Sequence, residues 1–236
     1  MDLSNSINPR AATPAPLPEL AAMPAHYNAR VPADLARRHA ELIRQHPGEG
    51  TKDFLRVPAS CAVATGPFHH QLSVFCPDAL SAFVNVTAAV ALGGGSIYEA
   101  NLYSRLDGTL LCDIAFILSD REAAKRVGGI VVEIFGRGRK AEVPGCGIPK
   151  GLDLSVLPPT GGEGPALLLK ASDTPGLLFR AARALFRSGI KVIRADIHTG
   201  GGRVRDIFVV AGRDGKAPDL ESILPRLYHE MTAVLR

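Results

Sequence analysis

No apolar stretch of this 236-residue chain reaches the roughly 18 residues that a membrane-spanning helix needs. The first residues, Met1-Asp2-Leu3-Ser4-Asn5, lack a basic n-region and an apolar h-region, so secretion is not expected. Cysteine is scarce. Cys61, Cys76, Cys112 and Cys146 form no C-x-x-C pair, and no histidine stands at zinc spacing. Reduced thiols in a cytoplasmic protein, with no metal and no cofactor, are the expectation. Gly93-Gly94-Gly95-Ser96 is no phosphate loop, because Lys-Ser/Thr does not follow and it lies between helix and strand. His69 and His70 are adjacent on a strand start and so point to opposite faces. No set of nucleophile, base and orienting group stands out, which argues against catalysis. Charge of one sign is also in short supply: the net charge is +4, which permits an anionic partner without arguing for nucleic acid. Arg137-Gly138-Arg139-Lys140 and Arg203-x-Arg205 carry no interleaved aromatics and read as solvated surface.

What the chain does have is a repetition. Val74-Phe75-Cys76-Pro77-Asp78 returns 95 positions on as Leu169-Lys170-Ala171-Ser172-Asp173. Ala100 answers to Ala195 at the same offset, and Asp113-Ile114 to Asp206-Ile207 at 93, as if the second hairpin turn were two residues shorter. Such a period is too long for a solenoid unit and suits two tandem small domains. Residues 1 to about 22, with Pro9, Pro14, Pro16 and Pro18, read as a disordered lead. Leu35, His39, Leu42 and Ile43 then share one face of a short helix, started by Pro32 or Asp34, that needs a repeat to pack on. In the first repeat the pattern predicts a strand at Leu72–Phe75, then a helix with Ala82, Val86, Ala89 and Val90 inward. Strands over 97–104 and 110–118 follow, turned at Leu106-Asp107-Gly108, and a helix over 121–135 weakened by Gly128-Gly129. Leu152 to Leu157 is assigned as that repeat's last strand. In the second repeat, a strand over 166–171 precedes a helix capped by Asp173, with Pro175 in its first turn. Leu178, Ala181, Ala182, Leu185 and Phe186 line that helix's face. Ile193, Ala195 and Ile197 alternate inward, Val204 to Val210 is the next strand, and a helix over 220–235 ends the chain. The expected class is α+β: two tandem ferredoxin-like (βαββαβ) domains, over 66–160 and 164–236, behind an extension over 1–65 with one short helix.

Asp173-Thr174-Pro175-Gly176-Leu177-Leu178, followed by Gly189-Ile190-x-Val192-x-x-Ala195-x-Ile197-x-Thr199, resembles an ACT domain, a small-molecule-sensing module. The first repeat is similar through Val74 to Asp78, Ala100-Asn101-Leu102 and Asp107-Gly108-Thr109-Leu110. Met23-Pro24-Ala25-His26-Tyr27 and Leu35 to Ile43 resemble the stretch before the tandem ACT domains at the C-terminus of the PII uridylyltransferase family, bacterial glutamine sensors. The resemblance covers residues 23 to 236. Nothing resembles that family's catalytic parts: Gly-Ser is not followed by Asp-x-Asp, and there is no His-Asp metal cluster. The first turn reads Asp78-Ala79-Leu80-Ser81, so the proline and glycine of the family's turn are lost there and that site is expected to be altered.

The resemblance implies a non-enzymatic sensor of an amino acid, glutamine first, acting on a protein partner or within a homo-oligomer, with neither nucleic acid nor membrane involved. The ligand's carboxylate would meet the free N–H groups of the turn from Asp173 to Gly176, with Thr174, Pro175 (itself without an N–H) and Leu177 completing the site. Its ammonium would meet Asp196 or Asp78, and a side-chain amide would meet Asn101 or Asn85, with Ser81 at the first turn. Beside these stand a plain N-cap role for Asp173, a ligand-free oligomerisation scaffold, and a detached regulatory part working in trans.

Overall fold

The computed structural model describes residues 17–46, 59–67, 69–77, 80–137, 143, 146–158 and 164–233. Two antiparallel sheets carry the chain. The first has the order β1 (Ser60–Thr65), β2 (His69–Pro77), β4 (Thr109–Ile117) and β3 (Ser96–Ser104). The second has the order β5 (Asp153–Leu157), β6 (Ala166–Ser172), β9 (Arg203–Gly212) and β7 (Ile190–Asp196), with the short β8 (Thr199–Gly200) also on β9. Helices α3 (Ala82–Leu92) and α4 (Arg121–Arg137) cover one face of the first sheet. Helices α5 (Leu177–Arg187) and α6 (Leu220–Thr232) belong to the second. Strand alternation sorts the faces: Leu72, Val74 and Cys76 of β2 pair with Ile114, Cys112 and Leu110 of β4, all buried beneath the helices.

Each repeat therefore runs ββαββα, and the expected βαββαβ order is corrected. Leu152–Leu157 does not close the first repeat; Asp153–Leu157 pairs with β6 of the second, Ser155 opposite Leu168. Ser60–Thr65, which fell inside the expected extension, takes the matching place beside β2 in the first sheet. Both edge strands precede their partners by one short connection, so a hairpin replaces a crossover. Counting each leading strand as a last one recovers the ferredoxin-like layer. Gly128, expected to weaken α4, has a packing reason instead. A Cβ there would lie 3.2 Å from a Val63 methyl, and the bare backbone lets α4 close on β1.

The two repeats meet along β3 and β7 and through α3 and α5. This second contact explains why α3 buries Phe83, Val84, Thr87 and Ala88 as well as the face expected for it. One apolar core runs through both repeats, with the rings of Phe83 and Phe208 at 6.4 Å across the seam. Buried Arg180 ties α5 to its surroundings by donating to the carbonyls of Met231 (2.9 Å), Ala233 (2.6 Å) and Cys146 (2.9 Å).

Helices α1 (Ala25–Arg30) and α2 (Ala33–Gln45) cover the outer face of the first sheet. Tyr27 and Leu42 of these helices, with Met23 just before α1, form a separate cluster with Phe75, Tyr103 and Leu111. Beneath them runs a buried polar chain. The Tyr27 hydroxyl and His39 Nδ1 are 2.9 Å apart, His39 Nε2 lies 3.6 Å from Asp113, and Ser73 (2.7 Å) and Gln71 (2.8 Å) donate to that carboxylate. All four cysteines are unbridged.

The registers also correct the repeat itself. Ala100 opposes Ile114 and Ala195 opposes Phe208, while Val74 opposes Cys112 and Leu169 opposes Asp206. The spatial counterpart of Asp206 is thus Cys112, not Asp113, and the hairpin is shorter by one residue rather than two. A shift of one residue along a strand moves a side chain to the opposite face. Asp113 accordingly lies under α1 and α2, and Asp206 under α5.

Candidate functional site

A cavity of about 200 Å³ opens at the seam, on the helix side of the sheets. The second repeat gives it the turn Asp173-Thr174-Pro175-Gly176 and the start of α5. The first repeat gives Thr87 and Ala91 of α3 and the loop Gly94-Gly95-Ser96. The floor is Ile197, Thr199, Val204 and Asp206. At this size it takes a small metabolite, well below the roughly 300–1,000 Å³ of sites that hold drug-sized ligands.

Asp173 does not cap α5, contrary to expectation. The helix starts at Leu177 with Gly176 as its N-cap in the left-handed region (φ 76°), and no side chain caps its N–H groups. Leu177 N–H closes the turn on the Thr174 carbonyl at 3.0 Å. The N–H groups of the first helical turn therefore face the cavity without a side-chain acceptor, a setting that favours an anion. Opposite them lies Asp206, 1% exposed. Its Oδ1 accepts the His198 backbone N–H at 3.2 Å. Burial pushes the Asp206 carboxyl up to about 7, opposed by the His198 N–H and helped by the charge of Asp173. One cavity thus presents helix N–H groups on one wall and a buried carboxyl on another.

This chain is similar to part of the bifunctional uridylyltransferase/uridylyl-removing enzymes. It is 30% identical to that of Aromatoleum aromaticum over 178 residues, 67% of this chain and 20% of the enzyme. With that of Nitrobacter hamburgensis it shares 29% over 213 residues, 82% of this chain and 22% of the enzyme. With that of Streptomyces coelicolor it shares 35% over 117 residues, 50% and 12%. The chain spans about a fifth or less of the length of these relatives. No family model matches it. Among solved structures, a double ringed trimeric shell protein of the RMM microcompartment aligns over 70% of this chain at 17% identity, and its TM-score of 0.24 supports no argument.

The residues singled out in the sequence divide between two places. Asp173, Thr174, Pro175, Gly176 and Leu177 line the seam cavity together. Asp196 and Asn101 do not join them. Both lie on the other face, in an outer cleft of about 420 Å³, because strand alternation turns them away from the helices. There Asp196 is bound by Arg30 of α1 and by Arg194, each at 2.9 Å, and Asn101 donates to Glu99. Ser81 stands half-buried at the start of α3 and lines neither cavity. Asp78 lies outside the described residues. Sequence reading missed Asp206, Thr199 and Gly94-Gly95-Ser96. Among the described residues no group of three His, Cys, Asp or Glu is arranged to hold a metal ion, and no helix is long and apolar enough to cross a membrane.

Gly176 is the tightest point of the site. A Cβ there would come within 2.3 Å of Cys146 Sγ, on a backbone that side chains rarely adopt. Gly176→Ala is expected to destabilise by about 2–3 kcal/mol in urea titration. Adding Cys146→Ala should recover the clash and leave the backbone part, about 1–2 kcal/mol.

Proposed function

We propose that the chain is a non-enzymatic regulatory module built as paired ACT domains, binding a small amino acid at the seam, with glutamine the first ligand to test. The observation that carries this is the pairing, in one small cavity, of uncapped α5 N–H groups with the buried Asp206 carboxyl. A carboxylate suits the first and an ammonium the second. Ser96 and Thr199 bring hydroxyls suited to a side-chain amide. Similarity to part of the uridylyltransferases supports a regulatory role, and both repeats wall the cavity, so a bound ligand favours one packing of the pair over others.

Calorimetry of the full chain against the twenty amino acids tests the reading. Heat is expected with a short list that includes glutamine, and Asp206→Asn should weaken that binding by a hundredfold or so, the loss of a charge-assisted contact. Absence of heat with every amino acid at millimolar concentration would leave the ligand-free scaffold as the better account.

A further inference from the structure

The outer cleft has the makings of a site of its own. Three separate parts of the chain build it: Arg30 from α1, Glu99 and Tyr103 from β3, and Asp196, His198 and Arg205 from the second repeat. Its floor holds Tyr103, whose residue is only 3% exposed. The Tyr103 ring is fixed edge-on to Tyr27 at 4.9 Å and stacked on His26 at 5.7 Å. Tyr103 lines the cleft, and no hydrogen bond within the described residues takes up its hydroxyl. Burial first, and then the charge of Asp113, raise the pKa of this phenol, with Arg30 opposing. The charges are also separated. Asp196 is taken up by Arg30 and Arg194, which leaves the Arg205 guanidinium and the Glu99 carboxylate as groups of opposite sign on the cleft wall. Lys170 stands directly opposite Arg205 across the strands but is paired with Asp153 on its other side, at 3.9 Å, which leaves Arg205 as the cation of the cleft.

We propose that this outer cleft is a second small-molecule site, for a zwitterion of amino-acid type whose carboxylate pairs with Arg205, whose ammonium pairs with Glu99, and whose polar atoms are met by the Tyr103 hydroxyl. It does not depend on the seam cavity, although the two share a wall. Along 196–199, Thr199 lines the seam cavity, Asp196 and His198 line the outer cleft, and Ile197 lines both. An occupant of one therefore presses on the backbone that lines the other.

The test is calorimetry of the full chain with the same amino-acid panel, read together with the tyrosine ultraviolet difference spectrum, which no tryptophan obscures because the chain has none. Two sites per chain are expected. In Asp206→Asn one site should persist, with a tyrosine signal on binding. Adding Tyr103→Phe, which keeps the ring, should weaken that remaining site about tenfold and remove the signal, and Glu99→Gln should do the same to the affinity. Deaminated acids should bind the remaining site more weakly than their amino acids. One site per chain that Asp206→Asn abolishes and Tyr103→Phe leaves unchanged overturns this proposal and keeps the seam site. One site that Tyr103→Phe weakens and Asp206→Asn spares keeps this proposal and removes the seam site. A single site that either variant abolishes overturns the two-site reading, and heat from no amino acid overturns both.

Discussion

Asp206→Asn is expected to make the folded chain more stable at pH 8, by about 2–4 kcal/mol, while removing the seam ligand. The buried carboxyl titrates near 7 in the folded chain against an ordinary value of 3.8. A carboxyl whose folded value is raised favours the folded state while it is protonated. That contribution is complete below about pH 4, is lost as pH rises from there through 7, and is gone at pH 8. Three pH units correspond to about 4 kcal/mol. Asparagine keeps an oxygen to accept the His198 N–H and carries no charge to bury, so it escapes most of that penalty. For a chain of this length the gain should appear as a rise in Tm on the order of 10 °C at pH 8 and close to none at pH 4. Equal Tm differences at both pH values would show that the carboxyl is not held neutral by burial. The same titration predicts how a ligand behaves. An ammonium beside Asp206 needs it ionised, so affinity should fall about tenfold per pH unit below 7, with proton release on binding seen as a buffer-dependent heat.

Much of this was legible in the residues. The hairpin turn at Asp107-Gly108 and the periodicity of α5 put the strands and helices around them close to where they stand. The strand β1 was not read, and β5 was read as a strand but given to the wrong repeat, because a short apolar run says strand without saying which neighbour it pairs with. Proximity in sequence assigned 152–157 to the repeat that it follows, whereas its hydrogen bonds go to the one that it precedes. Asp206 shows the subtler failure. It was matched to Asp113 by letter and given no part in the site, although Val204, Asp206, Phe208 and Val210 share one parity and so one face. A carboxylate in register with three buried apolar residues was the signal to follow. The same parity separates Asp196 from Thr199, and with them the outer cleft from the seam. In β7 a bulge between Val192 and Arg194 breaks the simple alternation, so Val192 is buried where Ile193 was expected.

Tyr27→Ala is expected to cost about 3–5 kcal/mol and to free the helical cover from the first sheet without unfolding the second. Tyr27 is 1% exposed, and its ring fills the space between α1, α2 and Tyr103. Truncating an aromatic in such a position removes its packing and leaves a cavity that helices joined by a short connection only partly close. It also strips His39 of its Nδ1 partner, in a chain of buried polar groups that ends on Asp113. Tyr27→Phe isolates that second effect and should cost about 1–2 kcal/mol. Because α1 and α2 form a single layer, hydrogen exchange should rise in α1, α2, β2 and β4 before it rises in β6 and β9. Uniform acceleration across both sheets would mean instead that the cover is part of one cooperative unit. The distinction matters for both cavities. Arg30, the last residue of α1, carries the layer across to Asp196 on the second repeat, and Asp196 adjoins the 196–199 wall. Loosening the cover should therefore weaken the outer cleft directly, by removing Arg30, and reach the seam only through that wall. In the Tyr27→Ala chain the outer site should lose affinity by a larger factor than the seam site does, a ratio that calorimetry on the Asp206→Asn and Tyr103→Phe backgrounds can read.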